Sequence, residues 1–219
     1  FSLNFSASSI IFIISSFDNL SLLFLIIILF SLPEVVSEAF IFIIPLISTS
    51  KTTSALIEEI GLTVSNEIPD SRNIDLYVDG ADEVDKDLNL IKGGGGAHTR
   101  EKMLADASKY FICIVDETKM VQQLGNFGIP VEIMSFGYEN TINKLKTFGT
   151  KIEVRNQKSE TGNVIIDLKG VIIEEPNKLE SEIKKVTGVI EVGIFAKNKP
   201  NLLIVGNDKT YKPIDSSIA

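Results

Sequence analysis

The sequence predicts an α/β fold, a Rossmann-like parallel sheet carrying an inserted ferredoxin-like β-α-β-β-α-β unit. Three observations support this. Between residues 52 and 130 short apolar runs alternate with helix-period segments, as strands joined by crossover helices do. Beyond Pro130 the order becomes strand, helix, strand, strand, helix, strand, the arrangement of a small antiparallel sheet with two helices. Leu202–Val205 is a last apolar run, expected to return to the first sheet. The expected division is 48–129 plus 197–219 for the Rossmann-like unit and 130–196 for the insertion. Residues 1–47 stand apart.

Of the first fifty residues 31 are apolar, and Gly, Lys and Arg are all absent there. Ile10–Leu32 approaches the roughly 20 apolar residues of a membrane span. However, Asp18 and Asn19 interrupt it, and no basic residue flanks it before Lys51. A membrane span is therefore not expected. A secretory leader, which needs a basic start and a small-residue cleavage site, is not expected either. The expectation for 1–47 is a gene-model error such as a frameshift or intron read-through, which leaves the first sheet without a native central strand.

From Thr53 the elements become regular. Thr53–Ile60 carries Ala55, Leu56, Ile57 and Ile60 at helical spacing and stops at Gly61. Leu62–Val64 is strand-like. Ile74–Val78 is a compact strand ending in Asp79-Gly80-Ala81-Asp82, and Leu88–Ile91 is a short one leading to Lys92 and four glycines. Thr99–Tyr110 reads as a helix with Met103, Leu104 and Ala107 on one face. Tyr110–Val115 reads as a strand buried on both faces. In the insertion, Val131–Met134, Lys151–Arg155, Val164–Leu168 and Val189–Ala196 read as strands. Glu139–Thr147 and Lys178–Val186 read as helices, and Gly162-Asn163 as a hairpin turn. The residues after Val205 read as a polar tail.

A net charge of −8 and a pI near 4.8 leave no basic stripe for nucleic acid. A small basic pocket for an anionic metabolite remains compatible with that balance. The single cysteine, Cys113, excludes an internal disulfide framework and fits a reducing, cytoplasmic compartment. With His98 as the only histidine, a Cys/His metal site is not expected.

Three clusters hold the candidate chemistry. Asp79-Gly80-Ala81-Asp82-Glu83 follows a strand, where open α/β sheets bind ligands. Read alone, it is also a solvated acidic turn. Lys92-Gly93-Gly94-Gly95-Gly96 precedes a helix containing Glu101, and glycine amides at a helix start converge on anions. A bare glycine run is also a linker, but the flanking Lys92 and Thr99-Arg100-Glu101-Lys102 weigh against that. Lys119 lies just past another strand, in reach of a phosphate or sugar oxygen at the same edge, or else is a surface lysine. Topology gathers all three at one sheet edge. His98 reads as a structural residue at a semi-exposed helix start, and Cys113 as a small core residue.

Tyr77-Val78-Asp79-Gly80-Ala81-Asp82-Glu83, the Lys92–Lys102 stretch and Phe111–Lys119 together resemble ribose-5-phosphate isomerase, type A. The resemblance runs from about Thr49 to about Gly206 and includes Leu124-Gly125, Pro130-Val131-Glu132 and Gly162-Asn163-Val164. It implies interconversion of D-ribose 5-phosphate and D-ribulose 5-phosphate in the non-oxidative pentose phosphate pathway, with no metal or organic cofactor. It also implies a homodimer or homotetramer. By the resemblance Glu101 is the catalytic base. Asp79, Gly80, Ala81 and Asp82, then Lys92, Gly93, Gly94 and Gly95, and lastly Lys119 bind substrate, with Asp79, Asp82 and Lys92 also assisting catalysis. The roles of Asp79 and Asp82 are not distinguished. A Gly-Thr-Gly-Ser-Thr-type phosphate loop, which the family carries after its first strand, has no counterpart before Gly61. Counted back without gaps it falls at Ile26–Leu29, and apolar side chains do not bind a phosphate dianion, so impaired activity is expected. The competing readings are a sugar-phosphate-binding regulatory domain, which needs no base, and an inactive membrane-tethered homologue.

Overall fold

Parallel strands are covered on both faces by their crossover connections and therefore read as apolar runs, whereas antiparallel strands alternate. Both patterns occur in the computed structural model, which describes residues 12–15, 46–59, 61–65, 67–68, 74–207 and 210–215. Up to the insertion the elements are β1 (Phe12–Ser15), β2 (Leu46–Ser48), α1 (Lys51–Glu59), β3 (Val64–Ser65), β4 (Ile74–Asp79), β5 (Glu83–Val84), β6 (Leu90–Ile91), α2 (His98–Ala107) and β7 (Ser108–Asp116). The insertion contributes β8 (Ile129–Ile133), α3 (Tyr138–Leu145), β9 (Lys151–Lys158), β10 (Val164–Lys169), α4 (Pro176–Lys184) and β11 (Val189–Val192). The chain closes with β12 (Ile194–Phe195), β13 (Leu202–Gly206) and β14 (Tyr211–Asp215).

Among the described residues the main sheet runs β14-β13-β7-β4-β1-β2-β3, parallel except for β14 on its edge. Ile74, Tyr77, Leu104, Phe111, Cys113 and Leu203 form the fully buried core on one face, where the Tyr77 and Phe111 rings lie 4.6 Å apart. Leu46, Ile57, Leu76 and Val78 form a smaller cluster on the other. The second sheet, β11-β8-β10-β9, is antiparallel throughout, which is the ferredoxin-like order. Its core includes Ile129, Val131, Ile133, Ile166, Leu168 and Ile183. A third small sheet, β12-β6-β5, lies where the two units join.

Several expectations need correcting. The sheet does have a central strand before residue 47: β1 pairs in parallel with both β2 and β4, with Ser15 opposite Asp79. The Ile26–Leu29 position assigned to the missing loop lies outside the described residues. α2 ends at Ala107, because the β-prone run Tyr-Phe-Ile-Cys-Ile-Val extends its strand back to Ser108. Its buried side is His98, Glu101, Lys102 and Leu104, while Met103 is exposed, so the helix packs largely by buried polar side chains and not by hydrophobic periodicity. β7 buries one face fully and the other only partly. The run 189–196 splits at Gly193, whose backbone bridges Lys92 and Pro130 and sends β12 to another sheet. The tail contains β14, an edge strand that tolerates Pro213.

Candidate active site

The carboxyl ends of β4 and β7 lie side by side, with Asp79 in register with Cys113. Leaving β4, the chain buries the Asp79 side chain completely. One oxygen, Oδ1, accepts the Gly80 amide at 2.7 Å. The other, Oδ2, accepts the Tyr77 hydroxyl and the Lys92 ammonium, the latter at 2.6 Å. Lys92 Nζ also donates to Gly80 O at 2.6 Å and pairs with Glu101 Oε2 at 3.2 Å. One buried ammonium thus stands between two buried carboxylates. Withdrawal from water opposes its charge, but Asp79 and Glu101 outweigh that and raise the Lys92 pKa, keeping it cationic. Burial raises Glu101 to about 7 against the pull of Lys92, with Asp79 adding to the rise. A carboxylate that exchanges its proton near neutrality suits general base work.

The glycine stretch bends over this group. Gly93 and Gly96 have φ of 111° and 82°, conformations costly for any side chain. Gly94 donates its amide to Asp82 Oδ2 at 2.8 Å, and a Cβ at Gly94 falls 2.6 Å from Asp82 Oδ1. A side chain at 94 would have to push the Asp82 carboxylate aside. Burial raises the Asp82 carboxyl above the ordinary aspartate range, against the Gly94 amide and the charges of Lys92, Lys119 and Arg155. Lys119, in a 3-10 turn at Glu117–Lys119, therefore acts on the same aspartate. Gly80 and Ala81 are half-buried between Asp79 and Asp82. Asp79, Gly80, Ala81, Asp82, Lys92, Gly93, Gly94 and Glu101 thus lie together, with Lys119 near enough for its charge to act on Asp82. Glu83 does not join them: its carboxylate turns away to accept the Gly125 and Phe127 amides, each at 2.6 Å.

His98 is fully buried, not semi-exposed. Burial lowers it to about 4, so the ring is neutral. Neither ring nitrogen has a hydrogen-bond partner at ordinary distance and geometry, the Glu191 backbone being only a weak neighbour. Burial likewise pushes the Cys113 thiol up to about 12, leaving it un-ionised in the core. Among the described residues no three His, Cys, Asp or Glu side chains are grouped to hold a metal ion. A cavity of about 670 Å³ beside α4, lined by Asp87, Leu88, Glu175 and Lys178 among others, shares no lining residue with the carboxylate cluster.

Sequence reasoning overlooked three contributors. Tyr77 lies two residues before Asp79 on the same strand face, a spacing that signals their contact. Glu132 is fully buried in β8, where it accepts from Thr99 at the start of α2 and from Ser159 at 2.8 Å, Thr161, and Asn163 at 2.9 Å. Arg155 reaches the glycine loop from β9. Neither long-range contact leaves a local sequence signal.

The family described as Ribose 5-phosphate isomerase A (phosphoriboisomerase A) matches residues 45–210. A ribose-5-phosphate isomerase A of Neisseria meningitidis serogroup C is 41% identical over 169 residues, 77% of this chain and 75% of that protein. One from Oceanobacillus iheyensis is 38% identical over 170 residues, 75% of each. Among solved structures, ribose 5-phosphate isomerase A from Neisseria gonorrhoeae is similar with a TM-score of 0.75 at 40% identity, covering 78% of this chain and 77% of that one. The enzyme from Plasmodium falciparum is similar with a TM-score of 0.80 at 29% identity, covering 95% and 91%. A D-ribose-5-phosphate isomerase in complex with phospho-erythronic acid is similar with a TM-score of 0.80 at 32% identity, with the same coverage. Among the described residues no helix is long and apolar enough to cross a membrane.

Proposed function

This chain belongs to the ribose 5-phosphate isomerase A family, and from that premise we infer that it interconverts D-ribose 5-phosphate and D-ribulose 5-phosphate with Glu101 as the base. The observation that carries the assignment of roles is the buried Asp79–Lys92–Glu101 group at the carboxyl edge of the sheet. The hydrogen on C2 of the open-chain aldose is weakly acidic because C1 is a carbonyl. Glu101 takes it as a proton, the electron pair passes into an enediolate, and the proton returns from Glu101 to C1 as the ketone forms at C2. A carboxylate near pKa 7 is basic enough to accept that proton and acidic enough to return it.

The oxygen that gains charge needs donors already in place, and the Lys92 ammonium with the glycine-loop amides provides them. Losing one such donor typically costs about 2.7–4 kcal/mol of barrier. Asp79 and Asp82 bind sugar hydroxyls and assist ring opening or proton movement between the two oxygens. Lys119 neutralises charge at the same edge. The division into 48–129 with 197–219, and 130–196, stands as our reading, with β1 added to the first unit. Assembly as a homodimer or homotetramer and a cytoplasmic location accompany it. Exposed Phe136 and Ile172 offer apolar surface for such an assembly.

The test is steady-state isomerisation of ribose 5-phosphate by the chain and by Glu101→Gln. The variant is expected to lose about 10²–10⁴-fold in kcat, the usual worth of a positioned base. Equal turnover would show that Glu101 is not the base. A regulatory domain without chemistry would bind the sugar phosphate and turn over in neither form.

A further inference from the structure

All four carbonyls of the glycine loop face the ferredoxin-like unit. Arg155 Nη1 donates to Gly93 O at 2.7 Å and to Gly94 O at 3.0 Å. Gln157 Nε2 makes a long contact with Gly95 O at 3.5 Å, and the Glu160 amide donates to Gly96 O at 3.3 Å. Arg155 and Gln157 both reach the loop from the stretch of β9 where its pairing with β10 shifts register. A trans peptide holds its N–H opposite its C=O, so drawing the Gly93 and Gly94 oxygens one way turns the Gly94 and Gly95 amides the other, while the Gly96 amide closes a turn on Gly93 O at 3.0 Å. The 93–94 peptide shows this directly: its oxygen meets Arg155 while its N–H meets Asp82 on the opposite side.

The guanidinium is itself fixed. Nε and Nη2 grip Asp167 Oδ2 and Oδ1, each at 2.7 Å, a bidentate pairing that aims the remaining nitrogen at the loop. The backbone ladder joins Lys151–Val154 of β9 to Ile166–Lys169 of β10, and Arg155 follows directly where the register shifts. Four consecutive glycines are the backbone with most freedom to lose, and a loop that must present amides to a transient charge gains most from an external clamp.

We propose that Arg155, held by Asp167, is a positioning residue for the isomerisation, setting the Gly94 and Gly95 amides toward Asp82 and the substrate before the oxyanion forms. It acts through the loop and not on the reacting carbons. The proposal rests on the isomerase reading.

The experiment measures kcat, KM and Tm for the chain and for Arg155→Ala, Arg155→Lys, Asp167→Asn and Glu101→Gln, with hydrogen exchange at the amides of residues 93–97. Arg155→Ala is expected to retain its Tm within a few degrees and to lose about 10²-fold in kcat/KM, mostly in kcat, as misplaced catalytic groups do. Exchange at the loop accelerates, and added ethylguanidinium restores part of the rate. Arg155→Lys recovers little, because an ammonium does not bridge two carbonyls while gripping a carboxylate at two points. Unchanged kcat and KM in Arg155→Ala overturn the proposal, as does a loss that follows Tm alone and ignores guanidinium. If Arg155→Ala does not fold, Asp167→Asn decides: a lower kcat with faster loop exchange supports the clamp, and an unchanged kcat rejects it. An inactive Glu101→Gln beside a normal Arg155→Ala removes only the role of Arg155, whereas a fully active Glu101→Gln removes the isomerase mechanism itself.

Discussion

Glu101 and Asp79 share the Lys92 ammonium at 3.2 and 2.6 Å, and that arrangement sets how activity responds to pH. Glu101 must be ionised to accept a proton, and burial holds its pKa at about 7. Below that value the working form falls tenfold per pH unit, so kcat/KM in the free enzyme should climb with pH and level off above about 7. The apparent value belongs to the whole charged group, since Lys92 and Asp79 both act on it. A pH–rate profile that is flat from pH 5 to 8 contradicts this. At this scale position after a strand left Asp79 and Asp82 open between a ligand edge and a solvated acidic turn, and the role of Glu101 came from the family resemblance, not from its place in the chain. The sequence placed His98 at a semi-exposed helix start, whereas the ring is completely buried against Gly93 of the glycine loop, a contact that helix position alone does not show.

α2 is held by its polar side. Lys102, next to Glu101, donates to Glu180 at 2.8 Å and to the Val192 and Ile194 carbonyls at 2.6 and 2.7 Å, and its ammonium lies 4.7 Å from the Phe195 ring centre. Thr99 meets Glu132 one turn earlier. The helix that carries the base is therefore docked on the ferredoxin-like unit at two points. Lys102→Met removes a buried cation from facing carboxylates and should cost about 3 kcal/mol. For a chain of this size that is a fall in Tm of about 6–12 °C. A calorimetric melt within 2 °C of the parent would show that the docking is dispensable. Helical periodicity located α2 within two or three residues, but it marked Met103 as core, and in the structure Met103 is exposed while Lys102 is buried. A buried charged face carries no hydrophobic period, so only partners from distant segments, Glu180 and Glu191, explain it.

In the whole molecule a parallel sheet supplies the edge, and an inserted antiparallel unit supplies the brace. The alternation of runs after Pro130 made the insertion legible, and its observed strand order matches. β1 was not legible, because an almost uniformly apolar segment offers no period by which to place four residues. Its end at Ser15 lies opposite Asp79, at the same carboxyl edge of the sheet as the carboxylate group. Inserting a Gly-Thr-Gly-Ser-Thr segment after Ser15 should raise kcat/KM for ribose 5-phosphate at least about tenfold, through the backbone amides it adds. An unchanged KM and kcat would mean that the phosphate is already held. The central claim is proton transfer by Glu101 through an enediolate, and isomerisation in D2O tests it most directly. Proton NMR of the product should show deuterium at the carbon that received the proton when the chain is intact, and neither isomerisation nor deuterium with Glu101→Gln. Undiminished isomerisation or undiminished incorporation by the variant would contradict it.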